Sequence, residues 1–121
     1  MLYNILYIIM IPVTFIYDSI NYIILIGNNK YENFKIIDES IDSDIWFHIQ
    51  DEPSAHIVLK TTNKLKDIPK QVIKRCAYLC KINSKAKTEK KSTVIYTQIQ
   101  NVIKTEIVGK VEVSSYKSVT V

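Results

Sequence analysis

The sequence predicts an α+β fold, a mostly antiparallel sheet packed against one long helix and a shorter helix. Three observations predict it. Short runs of β-branched and aromatic residues recur between turn signals, in a chain of 121 residues with 22 Ile and 8 Tyr. One stretch, 67–84, instead carries its apolar residues at helical spacing. Strands and helices do not alternate regularly, which argues against a parallel βαβ sheet. The length fits one domain that can bury a core without metal or disulfide. With 47% hydrophobic and 23% charged residues the chain has a globular composition, and only 2 Gly and 3 Pro exclude collagen-like or linker-dominated classes.

The elements follow in order. Leu2 to Tyr17 is mostly apolar but interrupted by Asn4, Pro12 and Thr14. It is short for a membrane span, Pro12 would break a helix, and no basic region or small-residue cleavage site marks a signal peptide. Residues 1–9 read either as a hydrophobic extension or as lying upstream of a start at Met10, with a single domain over 10–121. Val13–Ile16 and Tyr22–Ile26 are predicted strands joined as a hairpin through the turn formers of Asp18–Asn21. Gly27-Asn28-Asn29 supplies a turn, and Lys30–Glu39 a short helix. Ile45–Gln50 and Ala55–Leu59 are predicted to pair across the loop Asp51–Ser54. After a polar loop, Thr61–Lys66, Asp67 is expected to cap the long helix, with Pro69 in its first turn where a missing N–H is harmless. Val72, Ile73, Cys76, Ala77, Leu79 and Cys80 form its buried stripe, and Lys70, Lys74 and Lys81 fall on the other side. Asn83 and Ser84 end it. Lys85–Ser92 is a lysine-rich loop anchored only by Ala86. Thr93–Thr97 and Asn101–Lys104 read as strands, and Val108–Val111 as a turn into the last strand or strands.

Charge is divided unevenly along the chain. Residues 1–59 hold two bases and eight acids, whereas residues 60–121 hold fourteen bases and four acids. The basic half is either a solvated lysine surface or a contact surface for a polyanion. Lys66, Lys70 and Lys74 are spaced i, i+4, i+8, where like charges repel unless an anion relieves them. Lysine is a point charge suited to phosphate rather than to reading base edges. Cys76 and Cys80 point the same way along one helix face, poor geometry for a disulfide, and read as small buried hydrophobes in a reducing compartment. Two Cys and two His at irregular spacing do not make a metal site.

The segment Asp44-Ile45-Trp46-Phe47-His48 carries the other chemistry. In a strand, Ile45, Phe47 and Ile49 share the core face, leaving Trp46 and His48 together on the other. That pair is either a stacking platform for a base or a Trp packed under the long helix with its N–H bonded, and spacing alone favours the packed Trp. Pairing of the two strands brings His56 close to both. Two histidines near Asp44 and Asp51 could serve as general acid and base, donate to a phosphate, or be fixed by backbone hydrogen bonds. No glycine-rich phosphate loop, nucleophile elbow or Ser/His/Asp order is present.

Taken in order and spacing, Gly27-x-x-Lys30-Tyr31-Glu32-Asn33, Asp44-Ile45-Trp46-Phe47-His48, Ser54-Ala55-His56, Asp67-Ile68-Pro69-Lys70, Tyr96-Thr97 and Val108-Gly109-Lys110-Val111 resemble the NFACT-R domain family. The resemblance runs from about Tyr22 to Val121, more loosely from Val13, and is strongest to the family's small eukaryotic form, which continues into a basic coiled coil beyond the domain. Many members have Gly where Ser54 stands. The resemblance implies an RNA-binding domain whose family also occurs in ribosome-associated quality-control factors that engage the large subunit and tRNA. The separate domains of those larger factors have no match here, so their tailing-type activity is not carried over. It implies a functional surface at Trp46, His48 and His56, with Pro69 opening the helix and Gly109 at the late turn. The small form has also been described as a membrane-associated sensor of extracellular DNA.

The expectation is therefore a non-enzymatic, cytoplasmic nucleic-acid-binding domain without metal, cofactor or small-molecule substrate. Lys66, Lys70, Lys74, Lys85, Lys87, Lys90 and Lys91 would contact phosphates, and Trp46, His48 and His56 would form a stacking or phosphate-contact patch. Its partners would be tRNA or ribosomal RNA, DNA as a further nucleic acid, and ribosome-associated proteins. The alternatives are a protein-interaction module, a membrane-associated DNA-sensing protein as the resemblance to the small form suggests, and a phosphoester enzyme acting through His48 and His56.

Overall fold

Strand alternation decides what each face of the sheet buries. The computed structural model describes residues 11–121, and the reading of residues 1–9 lies outside them. Its elements are β1 (Val13–Tyr17), β2 (Ile20–Gly27), α1 (Lys30–Asp38), β3 (Ile45–Ile49), β4 (His56–Lys60), α2 (Lys70–Ile82), β5 (Thr93–Gln98), β6 (Val102–Lys104), β7 (Val111–Val113) and β8 (Lys117–Thr120). Six strands form one sheet in the order β1-β2-β4-β3-β5-β8, and β6 and β7 pair as a separate ribbon. Each pairing is antiparallel. The α+β class with a large antiparallel sheet and two helices is as the sequence predicts.

The first hairpin is tighter than the sequence suggests. Asp18 and Ser19 both adopt positive φ, at 51° and 63°, a two-residue turn whose twist matches the flanking strands. β1 and β2 therefore pair out to Tyr17 and Ile20. Asn29 caps α1, its side chain accepting from the N–H groups of Tyr31 and Glu32.

Two cores lie on the two faces of the sheet. Ile45, Phe47 and Ile49 of β3, with Ile24, Ile57, Leu59 and Val94, pack beneath Val72, Ile73, Cys76, Ala77, Leu79 and Cys80 of α2. The predicted helix stripe is thus the buried one. Both thiols are free and buried, and burial pushes the Cys80 thiol up to about 12. On the opposite face, Trp46 and Val58 pack with Ile36 and Ile37 of α1, with Ile99 of a short 3-10 turn and with Val102 at the start of β6.

Three expectations near α2 change. Asp67 does not cap the helix: it belongs to a short 3-10 turn, Leu65–Asp67, and Pro69 occupies the cap position without a side-chain hydrogen bond. Pro69 holds the preceding Ile68 extended, at φ −81° and ψ 125°, so the helix starts after it. Lys81 is not on the solvent side. Its stem is buried, and its Nζ donates to the carbonyl of Val121 at 3.1 Å. The Lys85–Ser92 loop contains its own 3-10 turn, Lys85–Thr88, pinned by the buried Ala86.

Candidate nucleic-acid interface

The β3–β4 register builds the centre of the site. Trp46 lies opposite Val58 and Phe47 opposite Ile57, so His56 falls on the same face as Trp46 and His48. The three rings form one cluster. Trp46 and His48 stack with centroids 5.5 Å apart and planes at 13°, and His48 meets His56 edge-on at 4.9 Å. Trp46 Nε1 donates to His56 Nδ1 at 3.1 Å. Nδ1 of His56 is therefore an acceptor, which puts that ring's proton on Nε2. His48 Nδ1 lies 2.6 Å from the carbonyl of Ile49, the geometry of an Nδ1–H donor.

This arrangement sorts the sequence-based alternatives. Trp46 is not beneath the long helix: it faces α1 and the β6–β7 ribbon, on the other side of the sheet from α2. Its N–H is bonded, as the packed reading expected, but to a histidine. At 1% exposed, Trp46 forms a floor, and the partly exposed ring of the cluster is His48. Burial lowers the pKa of both imidazoles. His56 falls to about 3, helped by His48 beside it, and His48 falls against the opposing pull of its hydrogen bond to Ile49. Both rings are accordingly neutral at pH 7, and contribute hydrogen-bonding edges and π faces rather than positive charge.

Asp44 does not join the histidines. Its buried carboxylate accepts from the N–H groups of Ile41 and Thr61, each at 2.9 Å, and pairs with Lys60. It clamps the start of β3 to the end of β4, while His48 sits four residues along the strand, about 13 Å away. Asp51 does lie beside the cluster, in the β3–β4 loop, with φ at 60°.

The cluster opens into a pocket of about 840 Å³ lined by the β3–β4 loop, the start of α1 and the turn before β7. Two cations, Lys30 and Lys110, and two carboxylates, Asp51 and Glu52, line it. Gly109 makes this closure. Its φ is +85°, and a Cβ there would lie 2.5 Å from that of Lys30, so only glycine lets the turn seat on α1. Asn33 lines the wall, and its Oδ1, fitted against Gly27, has no hydrogen-bond partner.

The predicted lysines do not form one surface. Lys66, Lys70 and Lys74 line a groove of about 310 Å³ with Lys117, over Tyr96 and Ile73. Lys66 contributes from the 3-10 turn rather than from the helix, so the three share a groove but not one helix face. Lys85 and Lys87 lie beyond the far end of α2, about 20 Å along its axis from Lys70. They line a third recess with Asn28, Lys30, Asn33 and Ser54, which adjoins the aromatic pocket. Lys90 and Lys91 are exposed in the loop beyond and line none of these recesses.

Comparison with known proteins bears on this combination of an aromatic floor, a glycine-closed rim and lysine-lined recesses. The family model for the NFACT protein RNA binding domain matches residues 12–115. The chain belongs to the NFACT-R family. It is 40% identical over 91 residues to coiled-coil domain-containing protein 25 of Mus musculus, covering 73% of this chain and 44% of the relative. It is 32% identical over 95 residues to the Rqc2 homolog RqcH of Bacillus subtilis, covering 77% of this chain and 16% of that one. Among solved structures, the C-terminal part of the fibronectin/fibrinogen-binding protein from Streptococcus suis aligns over 91% of this chain and 44% of its own, with TM-score 0.78 and 26% identity. The chain thus spans less than half the length of these relatives.

Within the NFACT-R domain the pocket rim includes residues the sequence did not single out as one site. Lys30 and Lys110 are 80 positions apart and meet only because the turn at Gly109 folds onto α1. Each lies in a separate motif, Gly27-x-x-Lys30 and Val108-Gly109-Lys110-Val111, but charge pattern alone holds no signal that pairs them. Among the described residues, no group of three metal-ligating side chains converges, and no helix is long and apolar enough to cross a membrane.

Proposed function

We propose that this NFACT-R domain, taken as one unit over 10–121, binds RNA in the cytoplasm without catalysing a reaction. The observation that carries the reading is the aromatic pocket floored by Trp46 and His48 and rimmed by Lys30 and Lys110, in a family described as RNA-binding. Lys85 and Lys87 extend its cationic edge, with Lys90 and Lys91 beyond. Lys66, Lys70, Lys74 and Lys117 supply a second phosphate-contact groove. The likeness to RqcH favours tRNA or ribosomal RNA and ribosome-associated quality control as the setting. An acid–base role for the histidines is disfavoured, because neither His48 nor His56 is tuned toward neutral pH and Asp44 is held elsewhere.

The test is fluorescence anisotropy with labelled tRNA, single-stranded RNA and duplex DNA across a salt series. Binding should weaken steeply with salt. Replacing Lys66, Lys70 and Lys74 together by Ala should reduce the log–log slope by about 2. A flat salt response would overturn the electrostatic reading, and preference for duplex DNA would redirect it to DNA.

A protein-docking reading has one observation of its own. The β1–β2 hairpin leaves Ile16, Ile20 and Ile23 exposed. A partner retained after nuclease treatment and lost on replacing Ile16 and Ile20 by Ser would favour that reading.

A further inference from the structure

We propose that the Trp46–His48–His56 pocket takes a single unpaired ribonucleotide, with its base on His48, its phosphate at Lys30 and Lys110, and its ribose hydroxyls at Asp51 and Glu52. This rests on the RNA-binding reading and gives it a chemical specificity. Three features lead to it.

The first is shape. At about 840 Å³ the pocket lies within the range of small-molecule sites. Its floor belongs to the core on the α1 face of the sheet, flanked by α1 and the β6–β7 ribbon. A base in a continuous duplex cannot reach such a floor, whereas an unstacked base can. The second is chemistry at the floor. His48 offers a partly exposed aromatic face backed by Trp46, and a ring edge not taken by Ile49. Stacking on a neutral ring suits a base, not a phosphate.

The third is the mixed charge of the lining. The backbone N–H groups of Tyr31 and Glu32 at the start of α1 are already satisfied by Asn29. The phosphate attraction therefore falls to Lys30, which packs against Gly109 and holds its ammonium over the Tyr31 ring, and to Lys110 next to that glycine. The lining also carries two carboxylates, Asp51 and Glu52, that neither form an ion pair nor accept a side-chain hydrogen bond among the described residues. Carboxylates repel phosphate but accept well from hydroxyls, and the 2′-hydroxyl is what separates RNA from DNA. A lining that holds both cations and free acceptors can meet the phosphate and the ribose hydroxyls of one nucleotide.

Trp46 is the chain's single tryptophan, so its indole N–H gives one NMR signal from the pocket floor. The experiment titrates the 15N-labelled chain with single-stranded hexaribonucleotide, the matching hexadeoxyribonucleotide and an RNA duplex, and follows that signal and the His48 ring. Anisotropy runs in parallel. The single-stranded RNA should shift both signals and bind about tenfold more tightly than the DNA. The duplex should leave the indole unmoved. The Asp51→Asn/Glu52→Gln variant should bring RNA and DNA affinities together with the salt slope unchanged, and Lys30→Ala/Lys110→Ala should weaken both. All four positions are exposed, so these variants do not threaten the core. RNA binding by anisotropy with the indole and His48 signals unmoved would overturn the pocket while leaving the RNA reading intact. Equal shifts with RNA and DNA would overturn the ribose assignment. No RNA binding at all would remove both readings.

Discussion

The neutral histidine cluster makes the fold acid-sensitive in a defined window. In an unfolded chain His56 titrates near 6.5, and in the folded protein burial lowers it to about 3. Between those values the unfolded state binds a proton that the folded state excludes, so stability rises with pH across the window and is lost as pH falls. The contribution is whole above pH 6.5 and gone below about 3. At pH 4.5, two units below the unfolded value, the loss from His56 alone is on the order of 2–3 kcal/mol. His48 shifts in the same direction and adds to it. The assay is urea unfolding at pH 7 and pH 4.5 of the wild type and of His56→Gln, whose amide oxygen can still accept from Trp46 Nε1. Carboxylates titrate alike in both proteins, so the difference between them isolates the imidazole. The wild type should lose about 2–3 kcal/mol more than the variant between the two pH values. Equal losses would refute the buried-neutral account of this cluster.

Three further outcomes follow from the same geometry. Nitrogen-detected NMR at pH 7 should find His56 protonated on Nε2 and His48 on Nδ1, and the opposite tautomer at His56 would contradict its bond from Trp46. Asp44→Ala should destabilise the fold by about 3 kcal/mol in denaturant unfolding, because it strands the N–H groups of Ile41 and Thr61 and leaves Lys60 with only the carbonyl of Glu39. Lys60→Met should cost clearly less, since both backbone donors still hold the carboxylate, and equal costs would show that the ion pair rather than the backbone clamp matters. Gly109→Ala should lower stability by roughly 1–3 kcal/mol and shift the pocket NMR signals, since the new Cβ meets Lys30 at a positive φ. An unchanged melting temperature would show that the turn is not held on α1.

The strands and the long helix were legible because their patterns are local. Alternation in Ile45–Ile49 divides Ile45, Phe47 and Ile49 from Trp46 and His48, and the helical period of Val72–Cys80 marks the buried stripe. The approach of His56 to Trp46 followed from the hairpin itself. Boundaries slipped where a local rule met a stronger neighbour: Pro69 delays α2 past Asp67, and the paired positive φ of Asp18 and Ser19 extends the first hairpin. Lys81 looked like a solvent lysine because spacing reports the face of a residue, not whether a distant carbonyl waits beside its stem.

By itself the sequence determined the fold class, the two faces of β3 and the family, because each depends on period, turn chemistry or ordered motifs along one chain. The tertiary structure alone decided the rest. It put Trp46 under α1 rather than α2, since alternation separates two faces but does not say which helix covers which. It divided the lysines between a groove at the start of α2 and recesses beyond its far end, since one-dimensional charge density holds no distances. It brought Lys30 to Lys110, since a contact across 80 residues comes from packing the Gly109 turn onto α1 and from nothing nearer in the chain.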